Sequence, residues 1–367
     1  MAIDVIPLVI ACLCAAILGF AAHRASICTV RAVAEILSSR TAFMLASIGK
    51  SVLWVVALTL PFFWLMPAAA RGLFGWQLTL STLAGGFLFG IGSAINGGCA
   101  FSTMARLVDG EVRMAGTIGG FALGVFVFAI LVDVQWLRQP QPAPAFIGSV
   151  VMFALALSLV LVAWALYEAP SIWRNRPKHL PLHHLPLAPQ YRLSSAAVLI
   201  GLSGTVIFLL IGAPGYTITL QNMVQGLIGR GMLPAVMGVI LMLAVLAGML
   251  VSTLQRRSFR LDWRPRLHWL RNVFGGSLMG LATAMLPGGN DSLVLYGIPA
   301  FSPHALPAYA ALLAGAAAGL LGMKHLAGMD TRVVCRNDIY RAEAQPPGSM
   351  LSGHPPSDLG FSRDRHN

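Results

Sequence analysis

Nine apolar segments follow one another along the chain, and each has roughly the length of a membrane-crossing helix. They cover residues 5–22, 42–66, 79–97, 114–134, 145–167, 195–213, 232–254, 273–287 and 306–325. A helix of about 20 apolar residues spans the hydrocarbon core of a bilayer. The pattern therefore predicts an all-α polytopic membrane protein with about nine transmembrane helices embedded in a lipid bilayer.

Two polar stretches divide this pattern into domains. Residues 168–193 are rich in Pro, His and Arg, and residues from about 345 onward are rich in Pro, Gly, Ser and charge. We expect a first membrane half at 1–167, made of four repeat segments and a connector helix, and a second membrane half at 194–327. Residues 168–193 would form a cytoplasmic linker, and 328–367 a cytoplasmic tail that is disordered toward its end.

The two halves contain an internal repeat. The stretch GGFLFG that begins at Gly85 recurs 190 residues later as GGSLMG at Gly275, and Gly98 falls on Gly288 at the same offset. The first four segments thus correspond to the last four, and the fifth is left over as a connector. Because one odd span separates the copies, the second copy is reversed in the membrane, which predicts two inverted pseudo-symmetric halves.

Short broken or re-entrant helices are expected at four places, near Cys28, after Asn96, after Gly212 and after Met285. A helix break frees backbone N–H and C=O groups, which is tolerable at membrane depth only beside a polar path. Four half-helix starts could then converge on one waist from two sides. We predict that the substrate path there is lined by Cys28, Asn96, Gly97, Gly98, Cys99, Ser102, Gly288, Gly289, Asn290, Asp291 and Ser292.

Composition supports the membrane class and gives an orientation. The 367 residues are 57% hydrophobic and 10% charged, with a mean hydropathy of +0.75 and a net charge of +12. The basic residues concentrate in alternate short connections between apolar segments, as topology signals do, so nucleic-acid binding is excluded. By the positive-inside rule the amino terminus lies outside and the carboxyl terminus is cytoplasmic. Arg24, Arg31 and Arg106 are interpreted as topology signals.

The cysteines do not form a disulfide or zinc pattern, and no metal or cofactor is predicted. They stand at positions 12, 14, 28, 99 and 335. Cys12 and Cys14 lie on a continuous apolar helix and are interpreted as small hydrophobic residues, and Cys335 receives no role. Lys50, near one end of its segment, is expected to snorkel, with attraction of an anion as the alternative.

The sequences GFAAHRASICTVRA around Cys28 and INGGCAFSTMARLVDG around Cys99 resemble the YeeE/YedE family of sulfur-transport membrane proteins. The resemblance implies an hourglass of nine spans plus short broken helices in a bacterial inner membrane. It also implies that Cys28 and Cys99 line a constriction where thiols pass thiosulfate along by hydrogen bonds. A cytoplasmic sulfur-carrier or sulfurtransferase protein is a possible partner. The family pattern has a third cysteine in the second half, whereas this chain reads MLPGGNDS at 285–292.

The predicted function is transport of thiosulfate or a related small sulfur-containing anion, without enzymatic activity. One alternative is a cation-coupled carrier or channel that uses Asp291. Another is a sulfurtransferase-like membrane enzyme with Cys99 as the nucleophile. A reactive thiolate needs a nearby His or Arg, and the nearest such residue in sequence is Arg106, which is seven positions away.

Overall fold

The computed structural model describes residues 5–65, 74–144, 151–174, 188–212, 215–229, 236–262, 268–328 and 331–341. The helices are α1 (Val5–Ala25), α2 (Thr29–Ser39), α3 (Phe43–Leu65), α4 (Leu80–Asn96), α5 (Ala100–Val108), α6 (Met114–Asp133), α7 (Val151–Arg174), α8 (Leu193–Ile211), α9 (Tyr216–Leu227), α10 (Val236–Arg256), α11 (His268–Met285), α12 (Asn290–Ser292) and α13 (Ala305–Ala327). Helix α12 continues directly into a π-helical turn, Leu293–Gly297, which we call the π segment.

Two short hairpins complete the described structure. Strand β1 (Phe74–Trp76) pairs antiparallel with β2 (Pro142–Pro144), with Phe74 opposite Pro144. Strand β3 (Val334–Arg336) pairs antiparallel with β4 (Ile339–Arg341), with Val334 opposite Arg341. The second hairpin lies in the predicted tail, and residues 342–367 of that tail are outside the described residues.

All nine predicted spans are helices, and the all-α polytopic membrane class is confirmed. Within the described ranges, eight helical segments are long and apolar enough to cross a bilayer. The ninth predicted span is α11, which carries Arg271 and Asn272 in its first turns and packs between α4 and α6. Its apolar run is short because part of its surface faces protein rather than lipid.

Two helix boundaries differ from the prediction. The connector α7 continues to Arg174 instead of ending at 167, and Glu168 on this extension forms an ion pair with Lys50 of α3. The predicted linker therefore begins as helix, and its residues 175–187 lie outside the described part of the chain. Helix α11 begins at His268 instead of 273, because its first turns contain polar residues and a hydropathy pattern detects only the apolar part of a helix.

Helix packing repeats between the two halves. Helix α1 packs on α10 as α8 packs on α3, and α4 packs on α13 as α11 packs on α6. The short helices follow the same rule, since α2 contacts α13 and α3, while α9 contacts α6 and α10. Helices α1–α6 of the first half correspond in chain order to α8–α13 of the second half. Each contact named above becomes its partner contact when every helix is replaced by its counterpart. The odd connector α7 between the halves gives the second copy its inverted orientation.

Close helix crossings explain the repeated glycines. A Cβ at Gly86 of α4 would overlap the carbonyl oxygen of Ala308 in α13. A Cβ at Gly276 of α11 would overlap the carbonyl oxygen of Thr117 in α6. Both positions therefore need a residue without a side chain so that the helix backbones can touch. The recurring glycine motif therefore marks the same type of helix contact in each half of the protein.

The two long broken helices also break at nearly the same position of the repeat. Helix α4 ends at Asn96, and Gly97 follows with φ of 79°. Helix α11 ends at Met285, and Gly288 has φ of 124°. These left-handed conformations suit glycine and reverse the chain before the next half-helix begins.

Candidate functional site at the waist

Four short helices begin at the same place in the centre of the protein. Their N-cap residues are Cys28 for α2, Cys99 for α5, Gly215 for α9 and Gly289 for α12. A helix start presents unpaired backbone N–H groups and the positive end of the helix dipole. We call this meeting point the waist.

Contacts between neighbouring starts close the waist into a ring. Helices α2 and α12 are joined by the Thr29 hydroxyl, which donates to Oδ1 of Asn290 at 2.8 Å. Helices α5 and α9 are joined by the rings of Phe101 and Tyr216, whose centroids lie 5.7 Å apart in an edge-to-face arrangement. The remaining two contacts involve Cys28 and Asp291 and are described below.

The two predicted thiols lie together at one cavity of about 60 Å³. Cys28 is 1% exposed and Cys99 is 2% exposed, and both line this cavity with Asn290 and Asp291. A space of this size holds about two water molecules. The cavity is therefore a small pocket next to both sulfurs, with room for only a few small groups.

Cys28 connects the first two helix starts. Its Sγ donates to the hydroxyl of Ser102 at 3.4 Å, and that hydroxyl donates to the carbonyl of Cys99 at 3.0 Å. Thiols are weak donors and soft acceptors, so the contact holds Cys28 loosely. The Cys28 sulfur can therefore exchange this partner for an anion without leaving a strong hydrogen bond unmade.

Asn96 braces the break that presents Cys99. Its side-chain nitrogen donates to the carbonyl of Gly98 at 3.0 Å and to the hydroxyl of Thr103 at 2.8 Å. Its side-chain oxygen accepts from Thr117 at 2.6 Å and from Asn272 at 2.7 Å. Asn96 is 1% exposed and does not line the cavity. It therefore fixes the geometry of the break next to the cavity without contacting the cavity itself.

Asp291 joins the two helix starts of the second half. Its Oδ1 accepts from the Thr217 hydroxyl at 2.5 Å, and its Oδ2 accepts from the Thr217 backbone N–H at 3.3 Å. The same hydroxyl accepts from the backbone N–H of Gly289 at 2.9 Å and lies 3.3 Å from the hydroxyl of Ser292. The carboxylate thus caps α9 rather than its own helix, and it also lines the cavity.

The second half has no room for thiols at the matching positions. The N-cap counterparts of Cys28 and Cys99 are Gly215 and Gly289. A Cβ at Gly289 would lie 2.7 Å from Cγ2 of Thr217, and a Cβ at Gly215 would overlap the hydroxyl of Ser292. Hydroxyl groups therefore fill the space that sulfur atoms occupy in the first half.

Buried and half-buried arginines lie near the thiols on one face of the protein. We call this face the arginine face and define it by Arg24, Arg31, Arg106, Arg113 and Arg256. Arg24, Arg31 and Arg106 are 1%, 8% and 5% exposed, so their interpretation as topology signals alone is incomplete. Arg31 interacts electrostatically with both thiols, and Arg106 donates to the carbonyl of Gly97 at 3.4 Å.

Glu111 neutralises part of this positive charge. Its carboxylate accepts from Arg106 at 2.7 Å and from Arg113 at 2.7 Å. Burial opposes the charged form, but the guanidinium groups of Arg106 and Arg113 outweigh it and hold the pKa of Glu111 below its usual value. The carboxylate is therefore ionised at neutral pH.

Lys50 lies away from the waist. Its ammonium group pairs with Glu168 and donates to the hydroxyl of Ser194 at 3.2 Å. These residues line a separate cavity of about 240 Å³ between α3, α7 and α8. Lys50 is thus held by a carboxylate rather than extended freely toward solvent.

The structure brings most of the predicted path residues together. Cys28, Cys99, Asn290 and Asp291 line the cavity, and Ser102 contacts Cys28. Gly97, Gly98, Gly288 and Gly289 build the two breaks, and Ser292 lies behind Asp291. Cys12 and Cys14 are half-buried on α1 and do not line the cavity. Cys335 is buried in the β3–β4 hairpin.

Three contributors were missed because their partners come from distant segments. Thr29, Tyr216 and Thr217 stand at the first positions of α2 and α9. All three lie in the predicted broken-helix regions near Cys28 and after Gly212, although none was placed among the predicted path residues. The available signal was the position of each residue next to a predicted half-helix start, where side chains face the waist.

A helical membrane protein with paired broken helices that meet at its centre has the architecture of a membrane transporter. The family model described as "Sulphur transport" matches residues 24–318, and the chain belongs to this family. The thiosulfate transporter TsuA of Escherichia coli strain K12 is 26% identical over 306 residues, which cover 75% of this chain and 83% of that protein. The resemblance seen at the two cysteine motifs is thereby confirmed.

Proposed function

We propose that this protein imports thiosulfate or a closely related sulfur-containing anion through the waist. One observation carries the proposal: two thiols line a single small cavity that is also lined by residues at three of the four converging helix starts, those of α2, α5 and α12. The similarity to a thiosulfate transporter supports the same substrate. A terminal sulfur atom and negatively charged oxygens match the two kinds of group found at this cavity.

Each part of the anion has a partner in this proposal. Helix N-termini supply backbone N–H groups and positive dipole ends for the anionic oxygens. The S–H groups of Cys28 and Cys99 donate weakly to the anion and suit its polarisable terminal sulfur. A path needs groups that replace water without holding the ion so firmly that release stalls. Neutral thiols and amides meet that requirement.

The arginine face supports a direction for the transport. Arg31 interacts electrostatically with both thiols, and Arg106 reaches the break before Cys99. The counterparts of Arg106 and Arg31 in the second half are Tyr296 and Ile218, which carry no charge at neutral pH. We propose that the arginine face is cytoplasmic, so that positive charge attracts the anion toward the interior.

Further proposals follow from this orientation. The amino terminus would lie outside and the carboxyl terminus inside the inner membrane of a bacterium. The linker and tail would be cytoplasmic, where a sulfur-carrier or sulfurtransferase protein could receive the anion. We propose no enzymatic step, because no hydrogen bond within the described residues joins Cys99 to a histidine that could activate it.

Growth on thiosulfate tests the proposed function. A bacterium without its own sulfate and thiosulfate importers would express the parent protein or a single variant, Cys28→Ala or Cys99→Ala, with thiosulfate as sole sulfur source. We expect growth with the parent and at least about tenfold slower uptake for each variant, since a lost substrate contact costs about 1.4 kcal/mol or more.

The matched control is Cys12→Ala, because this thiol lies on α1 outside the cavity lining. It is expected to grow like the parent. Equal growth of parent and empty vector would remove thiosulfate as the substrate. Normal growth of both waist variants would contradict the role of the thiols.

A further inference from the structure

The waist contains a buried carboxylate on the proposed route of the anion. Asp291 is 5% exposed and lines the same cavity as both thiols. None of the ion pairs within the described residues includes it. An ionised carboxylate and a divalent anion repel each other strongly in such a confined space. Something must neutralise Asp291 when the anion arrives.

The carboxylate is not required to build the helix break. The counterpart of Asp291 in the first half is Phe101, two residues after the N-cap Cys99. That half forms the same break and half-helix with an aromatic ring at this position. Formation of the break before α12 therefore does not explain why the second half carries an acid here.

The groups around Asp291 favour a proton over a metal ion. The carboxylate faces the hydroxyl and the backbone N–H of Thr217, which are both donors and leave no acceptor shell for a cation. Within the described residues there is no group of three His, Cys, Asp or Glu side chains that could hold a metal. The titratable groups that interact with Asp291 are the hydroxyls of Tyr216 and Tyr296.

A second observation indicates a ligand beside the carboxylate. The Tyr216 side chain is 7% exposed, and its buried hydroxyl has no hydrogen-bond partner in the described structure. This hydroxyl interacts electrostatically with Asp291, Cys99 and Cys28. A buried hydroxyl group without a hydrogen-bond partner costs free energy unless a bound ligand supplies that partner. An anion between the thiols and Asp291 would accept its proton.

We propose that Asp291 is a proton-binding site, and that one proton crosses the membrane with each anion that passes the waist. The proton leaves a hydronium ion at the entry side and forms an O–H bond with Asp291. The protonated acid then donates a hydrogen bond to the anion in place of repelling it. After the anion departs, the O–H bond breaks and the proton passes to water on the other side. This inference rests on the proposed function and adds a coupling of the transport to the pH gradient.

Proteoliposomes that contain the full-length protein and a trapped pH indicator provide the experiment. Radiolabelled thiosulfate is added outside, with the outside solution either equal in pH or about two pH units more acidic. For the parent we expect the acidic outside solution to raise the initial uptake rate at least about fivefold, the lower end of typical coupling between two sites. We also expect thiosulfate to acidify the lumen.

The variant Asp291→Asn separates proton binding from helix capping. Its amide oxygen can still accept from Thr217, so α9 keeps its contact, but it cannot exchange a proton. We expect thiosulfate to enter down its own gradient, with neither acceleration by an acidic outside solution nor lumenal acidification. The matched control Glu168→Gln removes a carboxylate from the Lys50 pair outside the waist and should behave like the parent.

Thr217→Val provides an independent variant. It removes the hydroxyl that stabilises the ionised carboxylate, so the pH of half-maximal uptake should move upward. Two results would overturn the proton site and leave the transport function intact. One is thiosulfate uptake by the parent without lumenal acidification, and the other is lumenal acidification by Asp291→Asn. Absence of thiosulfate uptake by the parent at every pH would overturn both.

Discussion

Glu111 shows how a single carboxylate supports the arginine face. It accepts hydrogen bonds from Arg106 and Arg113, and its side chain is only 9% exposed. Arg106 in turn reaches the carbonyl of Gly97 at the break before Cys99. Loss of Glu111 would leave two guanidinium groups without their shared partner, one of them buried beside the waist.

Glu111→Gln should therefore destabilise the protein by about 3 kcal/mol at neutral pH, as expected when one partner of a buried ion pair is removed. The pKa of Glu111 lies below its usual value, so its stabilisation is present above about pH 4 and is lost as the pH falls through the lowered pKa. Thermal unfolding in detergent at a series of pH values measures this. The difference between parent and variant should shrink in acid, and a constant difference would contradict the ion-pair explanation.

At the scale of the elements, the two long broken helices use the same backbone plan with different side chains. Half-helix α5 begins after Cys99, whereas α12 begins after Gly289. The backbone at Gly289, with φ of −104°, would accept any residue. What excludes a side chain there is the position of Thr217 on α9, whose Cγ2 lies 2.7 Å from the place of a Cβ.

Gly289→Cys alone should thus lower stability by about 1–3 kcal/mol through overpacking. Thr217→Ala removes the methyl and hydroxyl groups that lie in the way. The double variant should therefore lose less stability than the sum of the losses in the two single variants, by about 1 kcal/mol. Thermal unfolding of the parent, both single variants and the double variant measures the coupling. Strict additivity would mean that Thr217 is not the obstacle.

At the scale of the whole molecule, much of the plan was visible in the sequence. Nine apolar segments predicted the spans, and the glycine motif at Gly85 and Gly275 predicted the repeat that the packing now displays. The Asn-Gly-Gly motif predicted the break before Cys99. These features are local, because helix length, glycine spacing and helix interruption depend on residues that are close together in the sequence.

The remainder depended on contacts between distant segments. Thr217 and Asp291 are 74 residues apart in the chain, and Thr29 and Asn290 are 261 apart. No periodicity links such pairs, so their hydrogen bonds appear only after α2, α9 and α12 meet. The burial of Arg31 was missed for the same reason, since a basic residue in a connection between spans ordinarily serves as a topology signal.

The central claim is that the two waist thiols line the transport path. The most direct measurement uses protein in which Cys12, Cys14 and Cys335 are replaced by Ala, reconstituted into vesicles and exposed to a small methanethiosulfonate reagent. The account predicts that modification of Cys28 and Cys99, followed by removal of the reagent, abolishes radiolabelled thiosulfate uptake. Full uptake after mass spectrometry has shown both thiols to be modified would contradict it.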